Sequence, residues 1–120
     1  MDIVDINQQI TKEILNLRNA TNELMVRAKD KANALGQYEK KLAQTMLTLK
    51  NGQTVLLDGK EEVYSTATGL EKIAKGVCYK ESIALDLAES KYRNVQVYIK
   101  SCETVINALQ SQLRVIKYEV

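Results

Sequence analysis

The sequence predicts an all-α fold: an antiparallel hairpin of two long, coiled-coil-like helices, with a short helix and a small loop or β-hairpin at the connection. Three observations point there. Proline is absent, so no helix interior loses a backbone donor. Apolar residues recur in steps of three and four over two long stretches. The glycines gather between those stretches, four of the five falling from Gly52 to Gly76.

The first helix is predicted over about residues 5–49. Ile3, Ile6, Ile10, Ile14, Leu17, Thr21, Leu24, Ala28, Ala32, Leu35, Tyr38, Leu42, Met46 and Leu49 form its stripe, with a mean step of about 3.5 residues, the spacing of a coiled-coil seam. Gly36 costs about 1 kcal/mol relative to alanine, which a helix of this length absorbs. Asn51-Gly52 stops it, because glycine takes the left-handed conformation of a C-terminal cap without penalty.

The connection, residues 50–67, differs in kind. Gln53 to Leu57 is rich in β-branched and apolar side chains, Asp58-Gly59 is a tight-turn dipeptide, and Glu61-Glu62-Val63-Tyr64 reads as a returning strand. The segment is a small hairpin or an irregular loop, and as a hairpin it would have to lean on the helices. Thr68 and Glu71 have the spacing of a capping box, which predicts a short helix over about 69–75, ended or kinked at Gly76.

The last helix is predicted over about 78–118. Its seam has no irregular step: Leu85, Ala88, Tyr92, Val95, Ile99, Cys102, Ile106, Leu109, Leu113 and Ile116. The whole chain, 1–120, is expected to be a single helical domain. Matched lengths and a short connection favour an antiparallel pair, with facing residue numbers summing to about 128. Helix–helix contact is then expected at Leu17, Leu24, Ala28, Leu35 and Leu42 against Leu85, Tyr92, Ile99, Cys102, Ile106, Leu109 and Leu113. In that register Ala28 and Ala32 sit opposite Val95, Ile99 and Cys102.

Apolar residues also lie off both seams: Val4, Leu15, Met25, Val26 and Leu47 on the first helix, and Ile83, Leu87, Val97, Tyr98, Val105 and Val115 on the second. A two-helix scaffold is thin support for so many, so self-association into a homo-oligomer is expected.

Composition excludes much chemistry. There is no histidine, which removes the commonest general base, the histidine-activated nucleophiles and most metal sites. No C-x-x-C and no glycine-rich phosphate loop occurs. The chain is therefore expected not to be an enzyme and to need no cofactor or metal. Glu61/Glu62 and Asp86/Glu89 are paired carboxylates that read as solvated surface. Cys78 and Cys102, on one continuous helix, would lie roughly 36 Å apart, too far to bridge. Each reads as a small buried hydrophobe; only Cys78, flanked by Lys75 and Lys80 near a helix start, has the setting of a reactive thiol. No apolar run approaches a membrane span, and the acidic opening Met1-Asp2-Ile3-Val4-Asp5 is unlike a secretory leader, so a cytoplasmic location is expected.

Net charge is +2, too even for a general nucleic-acid binder, but it is unevenly spread. Arg27, Lys29, Lys31, Lys40 and Lys41 on the first helix, with Lys72, Lys75 and Lys80 beyond the connection, make the loop end basic. These eight are the candidate anion- or partner-binding residues. Tyr38, Tyr64 and Tyr79 are placed to stack on bases, Tyr38 doubling as a seam residue.

Residues 67–120 carry a resemblance. Thr68-Gly69-Leu70-Glu71-Lys72-Ile73-Ala74-Lys75-Gly76, the following Cys78, Leu87-Ala88-Glu89 with Tyr92, and Ile106 to Leu113 followed by Arg114 resemble small helical proteins of bacteriophages and prophages, accessory or early gene products. The resemblance implies no catalytic residues, only a setting in the bacterial host cytosol. Two functions fit. One is an oligomeric protein that sequesters or inhibits a host protein or a small anionic, nucleotide-like signal, as counter-defence proteins do. The other is an accessory of phage DNA replication or recombination that touches nucleic acid through the basic loop end.

Overall fold

The computed structural model describes residues 2–64 and 66–118. In chain order the elements are α1 (Ile3–Lys50), β1 (Val55–Leu57), β2 (Lys60–Glu62), α2 (Ala67–Val77) and α3 (Tyr79–Tyr118). The fold is the all-helical one the periodicity predicts: two long helices packed together, with a short helix and a two-stranded antiparallel sheet between them in sequence. Contacts gather into two compact units. The first holds Met1–Ala28 and Ser90–Val120; the second holds Lys29–Glu89.

In the first unit the start of α1 packs with the end of α3, which makes the pair antiparallel. Ile6 and Ala20 of α1 and Val95, Cys102, Ile106 and Leu109 of α3 are buried. Leu17, Leu24, Tyr92, Ile99 and Leu113 are half-buried beside them. All of these α3 residues fall on one seven-residue repeat.

The α1 stripe runs elsewhere than its apolar residues suggest. Its buried and half-buried residues step through Ile6, Ile10, Glu13, Leu17, Ala20, Leu24 and Arg27 in the first unit, then Lys31, Ala34, Tyr38, Lys41 and Thr45 in the second. Until Thr45 the steps alternate strictly between four and three. Ile14, Thr21, Ala28, Ala32 and Leu35, expected on the seam, are exposed, Leu35 by 39%. Ile14, Thr21, Ala28 and Leu35 form a neighbouring column, seven residues apart, one place around the helix. Arg27, Lys31 and Lys41 are half-buried at seam positions, which long side chains can fill with their alkyl stems.

The register differs as well. In the second unit Lys41 pairs with Glu81 and Thr45 bonds to Cys78, so facing numbers sum to 122 or 123 rather than 128. In the first unit Leu24 borders the same hollow as Gln96 and Ile99, which agrees with this register; it is Leu24, not Ala28, that lies level with Ile99. The expected register aligned the helix ends. Instead α1 runs nearly two turns past the start of α3, and Leu49 in that overhang is wholly buried.

The connection is built from backbone-directed choices. At the end of α1, Gly52 N donates to Leu49 O at 3.0 Å and Gln53 N to Thr48 O at 3.2 Å, with Gly52 at φ +79. This is the paired closure of a Schellman cap. β1 and β2 pair Val55 with Glu62, Leu56 with Glu61 and Leu57 with Lys60. The two residues between them, Asp58 (φ 51) and Gly59 (φ +79), both take the positive φ a two-residue hairpin turn needs. The segment is thus a hairpin, and its second strand spans Lys60–Glu62, stopping short of Tyr64.

The short helix starts at Ala67, two residues before its expected start. Thr66, not Thr68, is the N-cap, and its hydroxyl accepts from Gly69 N at 2.9 Å. Nor does α2 end at Gly76; it continues to Val77, and only Cys78 separates it from α3. A Cβ on Gly76 would stand 2.9 Å from Leu57 Cδ1. The glycine is there because β1 leans against α2 at that point.

Candidate functional site

The second unit contains one polar cluster inside its seam. Lys41 and Thr45 are one turn apart on α1. Cys78 and Glu81 bracket the start of α3. Lys41 Nζ lies 2.9 Å from Glu81 Oε1, and Thr45 Oγ1 donates to Lys41 O at 2.8 Å. Cys78 is wholly buried and Thr45 nearly so. Glu81 Oε2 is buried without a hydrogen-bond partner. The cluster lay outside the sequence reading, which placed Lys41 on a basic surface and Thr45 nowhere. The i, i+4 spacing of a lysine and a threonine on the true heptad was the available signal.

Its electrostatics follow from burial and from the ion pair. The hydrogen bond from Lys41 holds the Glu81 carboxyl below its usual range. Burial pushes the Cys78 thiol above its usual value; the hydrogen bond with Thr45 and the charge of Lys41 act the other way and are outweighed. A raised, buried thiol is a poor nucleophile. In the native protein Cys78 should therefore react with a soluble thiol reagent far more slowly than in urea. Native labelling at the denatured rate would show the site to be open.

The Lys41–Glu81 pair gives a pH dependence with a fixed sign. The folded pKa of Glu81 lies below its unfolded value, so its contribution to stability is complete above the ordinary carboxylate range of about 4 to 4.5. It is lost as pH falls through the lowered folded value. Glu81→Gln should flatten this part of the acid-side stability profile, as read by denaturant midpoints at stepped pH. An unchanged slope would mean the pair is solvent-screened.

The eight basic candidates do not act alike. Arg27, in the first unit, is half-buried and pairs with Glu23 at 3.3 Å. In the second unit Lys41 is bound to Glu81, and Lys75 pairs with Glu71 at 3.0 Å, which raises the Lys75 pKa. Lys31 is half-buried on the seam. Lys29, Lys40, Lys72 and Lys80 are exposed and carry no ion pair among the described residues. Tyr38 is half-buried, while Tyr64 and Tyr79 are exposed. Among the described residues no three metal-capable side chains come together.

The eleven apolar side chains off the predicted seams are all exposed in the single chain, from Val105 at 41% to Met25 at 70%. The hollows beside them are open. One in the first unit is lined by Leu24, Arg93, Gln96, Val97, Ile99 and Lys100, with Glu103 at its edge. Among the described residues no helix is long and apolar enough to cross a membrane. No known protein family, no curated protein and no solved structure matches the chain.

Proposed function

We propose that this chain is a non-enzymatic binding protein of phage type that sequesters or inhibits a host protein, or a small anionic signal, in the bacterial cytosol. The observation that carries the reading is the apolar surface left open on both long helices. Leu15, Met25 and Val26 on α1 and Leu87, Val97 and Val115 on α3 are each more than half exposed. Such surface on a water-exposed helix marks a contact waiting for a partner. The buried polar cluster supports the same reading, since its thiol is raised and its carboxylate is tied to a lysine.

The test is capture from bacterial lysate with the native chain and with a Leu15→Glu/Met25→Glu variant, identifying both proteins and nucleotides. A host component retained by the native chain and lost by the variant supports the proposal. Equal capture by both, or none by either, removes it.

A second reading has its own observation: Lys29, Lys40, Lys72 and Lys80 of the second unit are exposed and carry no ion pair among the described residues. As an accessory of DNA replication or recombination, the chain would bind DNA with an affinity that falls steeply with salt. Lys29→Glu/Lys40→Glu should then abolish retention.

A further inference from the structure

One exposed side of α3 in the first unit carries almost no charge of its own, and its Lys91, Asn94 and Tyr98 border α1 at Glu23 and Arg27. Take the positions at 90, 91 and 94 and those that repeat every seven residues after each, up to Tyr118. All thirteen are exposed, and Lys91 alone is charged. The other eight exposed positions of the same stretch carry five charges: Arg93, Lys100, Glu103, Arg114 and Lys117. A helix surface solvated for its own sake has no reason to sort its charges in this way.

Within the neutral face runs a second seam. Lys91, Asn94, Tyr98, Ser101, Val105, Ala108, Gln112 and Val115 are spaced alternately by three and four. That is the rhythm of the seam inside the chain, so its complement is another helix about 37 Å long.

We propose that this face pairs with the same face of a second copy, the two α3 helices running antiparallel about a two-fold axis midway between Ser101 and Val105. This deepens the proposed function by naming one partner, and it rests on the same reading of the apolar surface as a contact. The two-fold makes each of the two central layers of the seam pair a larger group with a smaller one. Tyr98 meets the partner's Ala108, and Ser101 meets the partner's Val105. Asn94 meets the partner's Gln112, a polar layer that fixes register. Lys91 lays its stem over the partner's Val115 and keeps its ammonium at the rim. Sliding the pair by one heptad, so that Tyr98 meets the partner's Ser101, sets Asn94 against the partner's Val105 and Gln112 against the partner's Leu87, leaving amides against hydrocarbon. A face with many like charges would repel its own copy; this one can meet itself.

The test uses full-length chains and light scattering after gel filtration. The native chain should run at twice its 13.5 kDa mass. Ser101→Glu/Val105→Glu and Ser101→Lys/Val105→Lys each bring four like charges together and should each run as single chains. An equimolar mixture of the two should recover the doubled mass. Both positions are exposed in the single chain, so helicity by circular dichroism should be retained. A Ser101→Leu variant, which overfills the layer, should weaken association in the same direction without any charge. Native protein at single mass at every concentration overturns the proposal. So do charged variants that still pair alone, or that fail to recombine. The Leu15→Glu/Met25→Glu variant leaves this face untouched, so loss of host capture and loss of self-pairing are separable results.

Discussion

Leu49→Ala should lower stability by about 2–5 kcal/mol. Leu49 is wholly buried in the last turn of α1, beyond the start of α3. Truncation removes the transfer energy of the lost methyl groups and leaves a void, because neighbouring side chains relax only in part. Urea denaturation should show a lower midpoint at an unchanged slope. The control is Leu47→Ala, two residues away and 60% exposed, for which a change within about 0.5 kcal/mol is expected. Equal effects at the two positions would mean that the end of α1 is not packed, and the burial of Leu49 beyond the start of α3 would fall with it.

Cys102→Asp should be more damaging at neutral pH, on the order of 3 kcal/mol or more. Cys102 is 3% exposed on the α3 seam of the first unit, where Val95, Ile106 and Leu109 are also buried. An introduced carboxyl would be largely stripped of water, with the Tyr98 side chain, already hydrogen-bonded to Cys102, as its polar neighbour. Its folded pKa must rise above the unfolded value. The variant is then least penalised below the ordinary carboxylate range, at about pH 4 or less, and loses further stability as pH rises through the folded pKa. This slope is opposite in sign to that of Glu81. Comparing variant with native at pH 4 and pH 7 should show the gap widening at the higher pH. A constant gap would mean that water reaches the seam at this point.

The legibility of the two long helices differed for a physical reason. On α3 each seam position is apolar or small and the flanking columns are mostly polar, so periodicity alone located the packed face. On α1 the column holding Ile14, Ala28 and Leu35 is greasier than the true seam, which passes through Glu13, Arg27, Lys31, Lys41 and Thr45. Counting apolar residues follows the greasier column. Only the demand that an uninterrupted seam keep its four-three rhythm selects the other. The cap at Thr66 is masked in the sequence because Thr68-x-x-Glu71 fits a stronger capping pattern. The tight approach of Leu57 explains Gly76, and no local signal records which distant side chain a glycine makes room for. The polar cluster was hidden for the same reason: Lys41 and Glu81 are forty residues apart, and their meeting depends on a register the chain ends do not fix.

The Schellman closure after α1 bears on chemical ageing. Asn-Gly dipeptides lose ammonia when the glycine nitrogen attacks the asparagine side-chain carbonyl to form a cyclic imide, which then hydrolyses. At Asn51-Gly52 that nitrogen is already donating its proton to Leu49 O, and the backbone around it is held in a left-handed turn. The folded chain therefore guards the dipeptide it most needs for reversing direction, and an old sample's first covalent damage there reports that this helix end has frayed.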